Sequence, residues 1–291
     1  MNKTFFYTLA ALIAFAANSV LCRWALADQT IDAYSFTWIR IVSGAATLLA
    51  LLYLIKPKLA ESQSLSSYFS PMSTLSLLVY MFGFSYAYIA LGAGLGALIL
   101  FVSVQFTMIS YHVIKGNRLS KLESAGIFSS VLGLIYLLLP NTSEQTTGLL
   151  PLISMALAGI SWGVYTLKGK GSSQPLLSTT INFVLASPVA LLLLPFFASV
   201  SLITTEGIVY AILSGSVASG IGYAIWYWVM GRINTVIASV SQLSVPVFAA
   251  LGGVVFLSEP LTLHFTISAF IILIGIGIVI LAPTLKKSHE K

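Results

Sequence analysis

The sequence predicts an all-α integral membrane protein with ten transmembrane helices arranged as two inverted five-helix repeats. Composition, the spacing of apolar stretches and the distribution of basic residues each support this fold class. Hydrophobic residues make up 58% of the 291 positions and charged residues only 8%. A soluble domain carries about 25% charged residues because its surface must meet water. Most side chains of this chain are therefore expected to face lipid or one another.

Ten apolar stretches of membrane-spanning length follow one another along the chain. One spanning helix needs about 20 mainly apolar residues, so ten of them leave only short loops and tails and exclude a separate soluble catalytic domain. The first stretch follows Met1-Asn2-Lys3 and is long for a cleaved signal peptide, so it is predicted to remain as the first helix. The predicted spans lie near residues 4–22, 34–55, 72–91, 94–114, 121–139, 149–167, 176–198, 207–230, 235–257 and 261–282.

Charged and turn-forming residues end these stretches. Lys56-Pro57-Lys58 ends the second, and Pro140-Asn141-Thr142 follows the fifth. Lys168-Gly169-Lys170-Gly171 ends the sixth, and Ser258-Glu259-Pro260 separates the last two. The weakest break is Gly92-Ala93-Gly94, which is predicted to be a short turn between the third and fourth helices.

The basic residues predict how the helices are oriented in the membrane. With the N-terminus in the cytoplasm and ten spans, twelve of the fourteen lysines and arginines fall in cytoplasmic segments. The outer loops hold only Arg23, and Arg40 lies inside the second span. Positive residues collect on the cytoplasmic side of membrane proteins. We therefore predict a multi-pass protein of the cytoplasmic (inner) membrane with both termini in the cytoplasm.

The chain also repeats itself at an offset close to half its length. Ser103-Val104-Gln105 and Ser244-Val245-Pro246 occupy similar places in their spans, and Phe15 to Arg23 matches Trp162 to Lys170 in spacing. The predicted halves, 1–140 and 141–291, hold five helices each. Because five is odd, the second half must enter the membrane from the opposite side. Secondary transporters use such inverted halves for alternating access.

These residues resemble the drug/metabolite transporter superfamily, and within it the proteins with two EamA domains. The clearest likeness is the run Gln242–Phe248 followed by Phe256–Leu261, a serine/proline stretch that leads to a serine–glutamate turn. Phe36–Arg40 resembles the arginine-bearing second helix of the family, and Ser161-Trp162-Gly163 resembles the start of a repeat.

The first repeat departs from the family pattern at three positions. Gln105 stands where proline is usual, Asn117 stands near the usual glutamate, and Phe15 replaces a tryptophan. The resemblance implies a carrier of a small metabolite, possibly an amino acid or related compound, and export is implied by the resemblance alone. The expected partners are a small-molecule substrate and the lipid bilayer, with no nucleic acid, and a homodimer is compatible with the sequence.

Arg40 is the foremost candidate for substrate binding. It lies about 9 Å along the second helix from its outer end. A charge at a helix centre costs about 2.5–3.5 kcal/mol on insertion scales and usually marks a transport path. A guanidinium can bind a carboxylate or phosphate through two parallel hydrogen bonds. In the alternative interpretation, Arg40 reaches the outer interface or pairs with a carbonyl, Asp28 or Asp32.

Six further polar or aromatic side chains inside the spans are candidate substrate-binding residues. The alternative for the amides is a hydrogen bond to another helix, and the alternative for the aromatic residues is packing or a place in an interfacial belt. These candidates are Asn18, Tyr86, Gln105, Trp162, Asn182 and Gln242.

The sequence predicts no catalytic, metal or cofactor site. It contains no HExxH or GxSxG motif and no pair of intramembrane aspartates, so an intramembrane enzyme is disfavoured. Its single cysteine, Cys22, and three scattered histidines provide no metal-ligand spacing. With no mid-membrane acid as a proton relay, facilitated diffusion or exchange is favoured over proton coupling. A membrane sensor or scaffold that does not transport is the alternative function.

Overall fold

The computed structural model describes residues 3–55, 68–138, 148–170, 172–197 and 203–289. Within these ranges every regular element is helical and there is no strand. Seven helical stretches of the described chain are long and apolar enough to cross a membrane, and a shorter apolar stretch covers Leu263–Val279. The all-α class is confirmed, whereas the count of ten spans and the inverted repeat stay predictions.

Twelve α-helices follow one another in the described chain, and their limits lie close to those of the predicted spans. They are α1 Lys3–Ala27, α2 Ala33–Ile55, α3 Pro71–Tyr88, α4 Ala93–Ile114, α5 Lys121–Leu138, α6 Leu149–Lys170, α7 Pro175–Phe197, α8 Thr205–Leu213, α9 Gly222–Met230, α10 Thr235–Ser241, α11 Val245–Leu257 and α12 Leu263–His289. The weak break near residue 92 is a real turn, because α3 ends at Tyr88 and α4 begins at Ala93. The predicted breaks at Lys56-Pro57-Lys58 and Pro140-Asn141-Thr142, with the boundary between the halves, lie outside the described residues.

Two of the long stretches are not regular α-helices throughout. A π-helical segment, Ser214–Ile221, joins α8 to α9, and a 3-10 turn, Gln242–Ser244, joins α10 to α11. Pro246 accounts for the second irregularity, because it has no N–H to donate to the carbonyl of Gln242 four residues earlier. Both irregular segments lie beside the buried polar residues described below.

Short polar side chains begin several helices by accepting hydrogen bonds from free backbone N–H groups. Asp32 Oδ1 accepts from the first turn of α2, and Asn234 Oδ1 accepts from the first turn of α10. Ser120 and Glu123 form a reciprocal pair at the start of α5, with distances of 2.7 and 3.1 Å. Glu123 is therefore a capping residue at a helix end.

The helices of the two predicted halves pack on one another rather than forming separate bundles. Helices α3 and α4 pack on α6, α1 packs on α9 and α11, α2 packs on α7 and the π-helical segment, and α5 packs on α12. Gly215 permits the close approach of α2, since a Cβ there would collide with the backbone oxygen of Arg40 and the side chain of Ser43. The centre of the molecule is therefore built from both halves.

Large apolar side chains cover much of the outer surface. Ile114, Leu192, Val255 and Leu263 are each more than 70% exposed. An exposed apolar surface of this kind suits contact with lipid tails.

Candidate functional site

Arg40, on α2, is fully buried against α3 and the π-helical segment. Its Nε donates to Ser219 Oγ at 3.0 Å, and its Nη2 donates to Tyr80 Oη at 2.9 Å and to Tyr223 Oη at 3.1 Å. The guanidinium carbon also lies 4.9 Å from the centre of the Phe84 ring. Arg40 is therefore held by neutral hydroxyls and aromatic faces. Its described contacts include neither Asp28 nor Asp32, the acids that the alternative interpretation paired with it.

One nitrogen of Arg40 is left without a partner. Its Nη1 is buried and makes no hydrogen bond within the described part of the chain. A buried charge is costly unless hydrogen bonds or an opposite charge compensate it. The Arg40 guanidinium thus retains the capacity to bind an acceptor.

Tyr80 is the point at which four helical stretches meet. Its hydroxyl accepts from Arg40, accepts from Asn18 Nδ2 at 3.3 Å and lies 3.1 Å from Tyr223 Oη. The oxygen of the Asn18 amide in turn accepts from Ser214 Oγ. This continuous network links α1, α2, α3, the π-helical segment and α9, and we call its members the Arg40 cluster: Asn18, Arg40, Tyr80, Ser214, Ser219 and Tyr223.

The π-helical segment supplies the two serines of the cluster. In a regular α-helix, Ser214 and Ser219 would point about 140° apart. The i→i+5 hydrogen bonding of a π-helix brings residues five apart closer to one face. Ser214 can therefore bond Asn18 while Ser219 bonds Arg40.

Aromatic rings cover one side of the Arg40 cluster. The Trp162 ring lies 4.6 Å from the Tyr223 ring, 5.0 Å from the Tyr80 ring and 5.5 Å from the Phe15 ring. Its Nε1 donates to Gln242 Oε1 at 3.0 Å. Trp162 and Gln242, both expected at the site from the sequence, are thus in direct contact and adjoin the cluster.

A cavity of about 700 Å³ opens at one end of the bundle, where α3 and α7 begin and α4 and α6 end. Its lining includes Lys115, Lys168, Tyr165 and Asn182. Asn182 Oδ1 accepts from Thr74 Oγ1 at 3.0 Å. The Tyr165 ring lies 5.7 Å from Trp162, so this cavity is separated from the Arg40 cluster by a layer of aromatic rings.

An ion pair lies at the opposite end of α4. Arg23 Nε lies 3.1 Å from Glu259 Oε1, and Glu259 Oε2 accepts from the backbone N–H of Ala93 at 2.9 Å. Arg23 Nη1 also donates to the carbonyls of Tyr88 and Ile89. Because α4 has 22 residues, this contact lies about 33 Å from the end of α4 at the cavity.

The structure thus brings together four of the seven residues expected from the sequence, namely Asn18, Arg40, Trp162 and Gln242. Asn182 lines the cavity, and Gln105 is buried with no described hydrogen-bond partner for its Nε2. Tyr86 is 43% exposed, on a different face of α3 from the buried Tyr80.

Tyr80, Ser214, Ser219 and Tyr223 are not among the seven residues expected from the sequence. The spacing of Tyr80, Phe84 and Tyr88 was an available signal, because residues four apart share one face of a helix. All three are buried. The serines gave no comparable signal, since serine is common at helix contacts in membranes.

Comparison with known proteins identifies the family of this chain. The model of the EamA-like transporter family matches residues 2–139 and 149–281. The chain therefore belongs to the EamA-like transporter family, and it is a multi-pass membrane transporter.

The chain is similar to proteins of several bacteria. An uncharacterized protein of Pseudomonas aeruginosa is 40% identical over 290 residues, covering 100% of this chain and 98% of that protein. A probable amino-acid metabolite efflux pump of Escherichia coli is 25% identical, covering 70% of this chain and 73% of its own length. A solved crystal structure of a protein with 18% identity matches with a TM-score of 0.71, covering 97% of this chain and 99% of that one, which shows the shared fold alone.

Proposed function

We propose that this protein is a secondary transporter that exports a small metabolite, such as an amino acid or a related compound, across the inner membrane by alternating access. The observation that carries this proposal is the Arg40 cluster. It is buried, polar and built from both halves of the chain, with an open cavity towards one end and an ion pair at the other. In alternating access, the substrate-binding site lies midway along the path, between two ends that open in turn.

The basic residues support an orientation for this path. The cavity is lined by Lys115 and Lys168, which belong to segments predicted to be cytoplasmic, whereas Arg23 is predicted to be outside. In this assignment the molecule is open to the cytoplasm and closed to the outside by Arg23 and Glu259, with both termini cytoplasmic. An exporter takes up its substrate in that state.

The pairing of helices supports two inverted halves. Matching the predicted spans in order pairs α1 with α6, α2 with α7, α3 with α8–α9, α4 with α10–α11 and α5 with α12. Under this matching, the contact of α3 with α6 corresponds to a contact of α9 with α1. The contact of α4 with α6 corresponds in the same way to a contact of α11 with α1. Both corresponding contacts exist. The α2–α7 and α5–α12 contacts are exchanged into themselves. Ten spans in halves 1–140 and 141–291, related by a two-fold axis in the membrane plane, account for this pattern.

The candidate residues have different positions along the proposed path. Arg40 and Asn18 hold the polar part of the substrate, and Trp162 with Gln242 covers it from the cytoplasmic side. Asn182 meets the substrate earlier, in the cavity, and Gln105 offers a buried Nε2 that has no hydrogen-bond partner among the described residues. We leave Tyr86 out of the site because its side chain is largely exposed.

The test is counterflow of labelled amino acids and related metabolites in proteoliposomes that contain the full chain. We expect saturable exchange of at least one compound, and Arg40→Ala should abolish it. Arg232→Ala is the matched control, because Arg232 is an exposed arginine that covers Trp228 outside the cluster. Equal exchange by Arg40→Ala and by the unaltered protein would remove Arg40 from the site.

A further inference from the structure

Among the described residues, the charge on Arg40 is contacted by neutral groups. Its hydrogen-bond partners are the hydroxyls of Ser219, Tyr80 and Tyr223, and Nη1 has no partner among the described residues. The whole side chain is buried. An isolated charge in a low-dielectric interior is disfavoured, and an opposite charge removes most of that penalty only when the geometry and hydrogen bonds are good.

The charge of the Arg40 cluster selects the charge of its ligand. One guanidinium and one monoanion leave no net charge in the buried cluster. A zwitterion leaves the positive charge uncompensated, and a dianion such as a phosphate monoester leaves a negative one, so both are less favourable in this environment. A planar carboxylate also matches the donor fork of a guanidinium.

The rings beside Arg40 indicate the rest of the ligand. The Phe15 ring packs edge to face on the rings of Trp162 and Tyr223, which are tilted against each other, and the ring centres are 4.6–5.9 Å apart. They place an apolar, polarisable surface against Tyr80 and Tyr223, the two tyrosines that bond the guanidinium. A ligand that enters between these rings would have to match them with an apolar body of similar thickness.

The cavity at the end of the bundle favours the same ligand charge as the Arg40 cluster. The cavity lining includes Lys115 and Lys168, and no aspartate or glutamate is among its described lining residues. A cleft lined by one sign of charge raises the local concentration of the opposite ion. The positively charged cavity and the buried guanidinium of Arg40 therefore both favour an anionic ligand.

We infer that the Arg40 cluster binds a monoanionic organic carboxylate with an apolar body, in preference to a zwitterionic amino acid. This inference rests on the proposed function, since it identifies the substrate class of the same site. The carboxylate accepts hydrogen bonds from Arg40, including its free Nη1, and the body lies against Trp162 and Phe15.

Binding of four matched probes to the full chain in detergent tests the inference. The probes share a phenyl ring: 3-phenylpropanoate is a monoanion, 3-phenylpropanamide is neutral, L-phenylalanine is a zwitterion and phenyl phosphate is mainly a dianion at pH 8. We expect calorimetry and thermal shift to show 3-phenylpropanoate binding about tenfold or more tightly than each of the others. Equal or tighter binding of any other probe, or no binding of 3-phenylpropanoate, overturns the inference.

Variants show whether Arg40 causes the preference. Arg40→Gln should abolish the difference between the carboxylate and the amide, Arg40→Lys should keep part of it, and the exposed control Arg232→Gln should keep all of it. An unchanged preference in Arg40→Gln overturns the inference. If Arg40→Gln does not fold, the four probes on the unaltered protein still decide between the ligand classes.

Counterflow separates this inference from the proposed function. Tight binding of 3-phenylpropanoate with no exchange of any compound would contradict the transporter proposal and leave the ligand class standing. Exchange of L-phenylalanine with no preference for the carboxylate would support a transporter and overturn the ligand class.

Discussion

Arg23 and Glu259 join three separate parts of the chain at one end of the bundle. Their ion pair of 3.1 Å connects α1 to the turn between α11 and α12. The same carboxylate accepts from Ala93 at the start of α4, where the helix dipole favours a negative charge. Ser258 adopts a left-handed φ of 55°, which turns the chain so that Glu259 follows α11 at this position. Opening this end of the bundle would have to break these contacts together.

Glu259→Gln should therefore favour the state that is open at this end. The pair is partly exposed, so its loss is expected to shift the equilibrium by about 1 kcal/mol, or about fivefold. Cys22, the single cysteine, is fully buried beside Arg23 and reports on this opening without further mutation. The measurement is the rate of maleimide labelling of Cys22 in proteoliposomes, which should rise about fivefold.

Glu206→Gln provides the control for this labelling experiment. Glu206 is an exposed acid in the first turn of α8, and its replacement should leave the rate unchanged. Equal labelling rates for Glu259→Gln and the unaltered protein would show that the ion pair does not keep this end closed.

Tyr80→Phe should destabilise the protein although it removes only one oxygen atom. The hydroxyl of Tyr80 accepts from Arg40 and Asn18, and its loss leaves both buried donors short of an acceptor. An unsatisfied buried donor costs about 1–3 kcal/mol, and more when it is charged. Thermal unfolding in detergent should show a clear fall in Tm. Tyr86→Phe, on the same helix but exposed, should leave Tm unchanged, and equal shifts in the two variants would contradict the role given to Tyr80.

Hydropathy predicted the helices well because bilayer thickness fixes the length of an apolar span. The limits of α2, α4 and α7 lie within one or two residues of the predicted ones. The π-helical segment could not be foreseen, since six of the eight residues 214–221 are glycine, serine or alanine and the segment has the same hydropathy pattern as a regular helix. Its backbone geometry depends on contacts with α1 and α2, which are distant in sequence.

The candidate site was predicted in part, because a strongly polar side chain stands out in an apolar span. Arg40, Asn18 and Gln242 are strongly polar side chains, which are rare inside apolar spans, so each was visible in the sequence. Tyr80 was less visible, because tyrosine occurs throughout membrane helices and only its four-residue spacing with Phe84 and Tyr88 sets it apart from Tyr86 in the sequence.

Gly215→Ala should disrupt the contact between α2 and the π-helical segment. The added Cβ would collide with the backbone oxygen of Arg40 and with Ser43, and neither side of this contact is the end of a flexible chain. Overpacking of this kind costs about 1–3 kcal/mol. We expect a lower Tm and a loss of counterflow. Gly277→Ala is the control, because a Cβ at Gly277 meets nothing within 4 Å; a fall in Tm as large as that of Gly215→Ala would contradict this explanation.

Ser214→Ala should show that the π-helical segment positions Asn18. The Ser214 hydroxyl donates to the oxygen of the Asn18 amide, and both residues are buried. Without it, the Asn18 oxygen loses its described donor, at a cost of about 1–3 kcal/mol. Ser216→Ala is a close control, since the hydroxyl of Ser216, in the described part of the chain, bonds the carbonyl of Ile212 one turn earlier. We expect the first variant to lower Tm and slow counterflow and the second to do neither. If both variants behave alike, the segment supports the fold without orienting the Arg40 cluster.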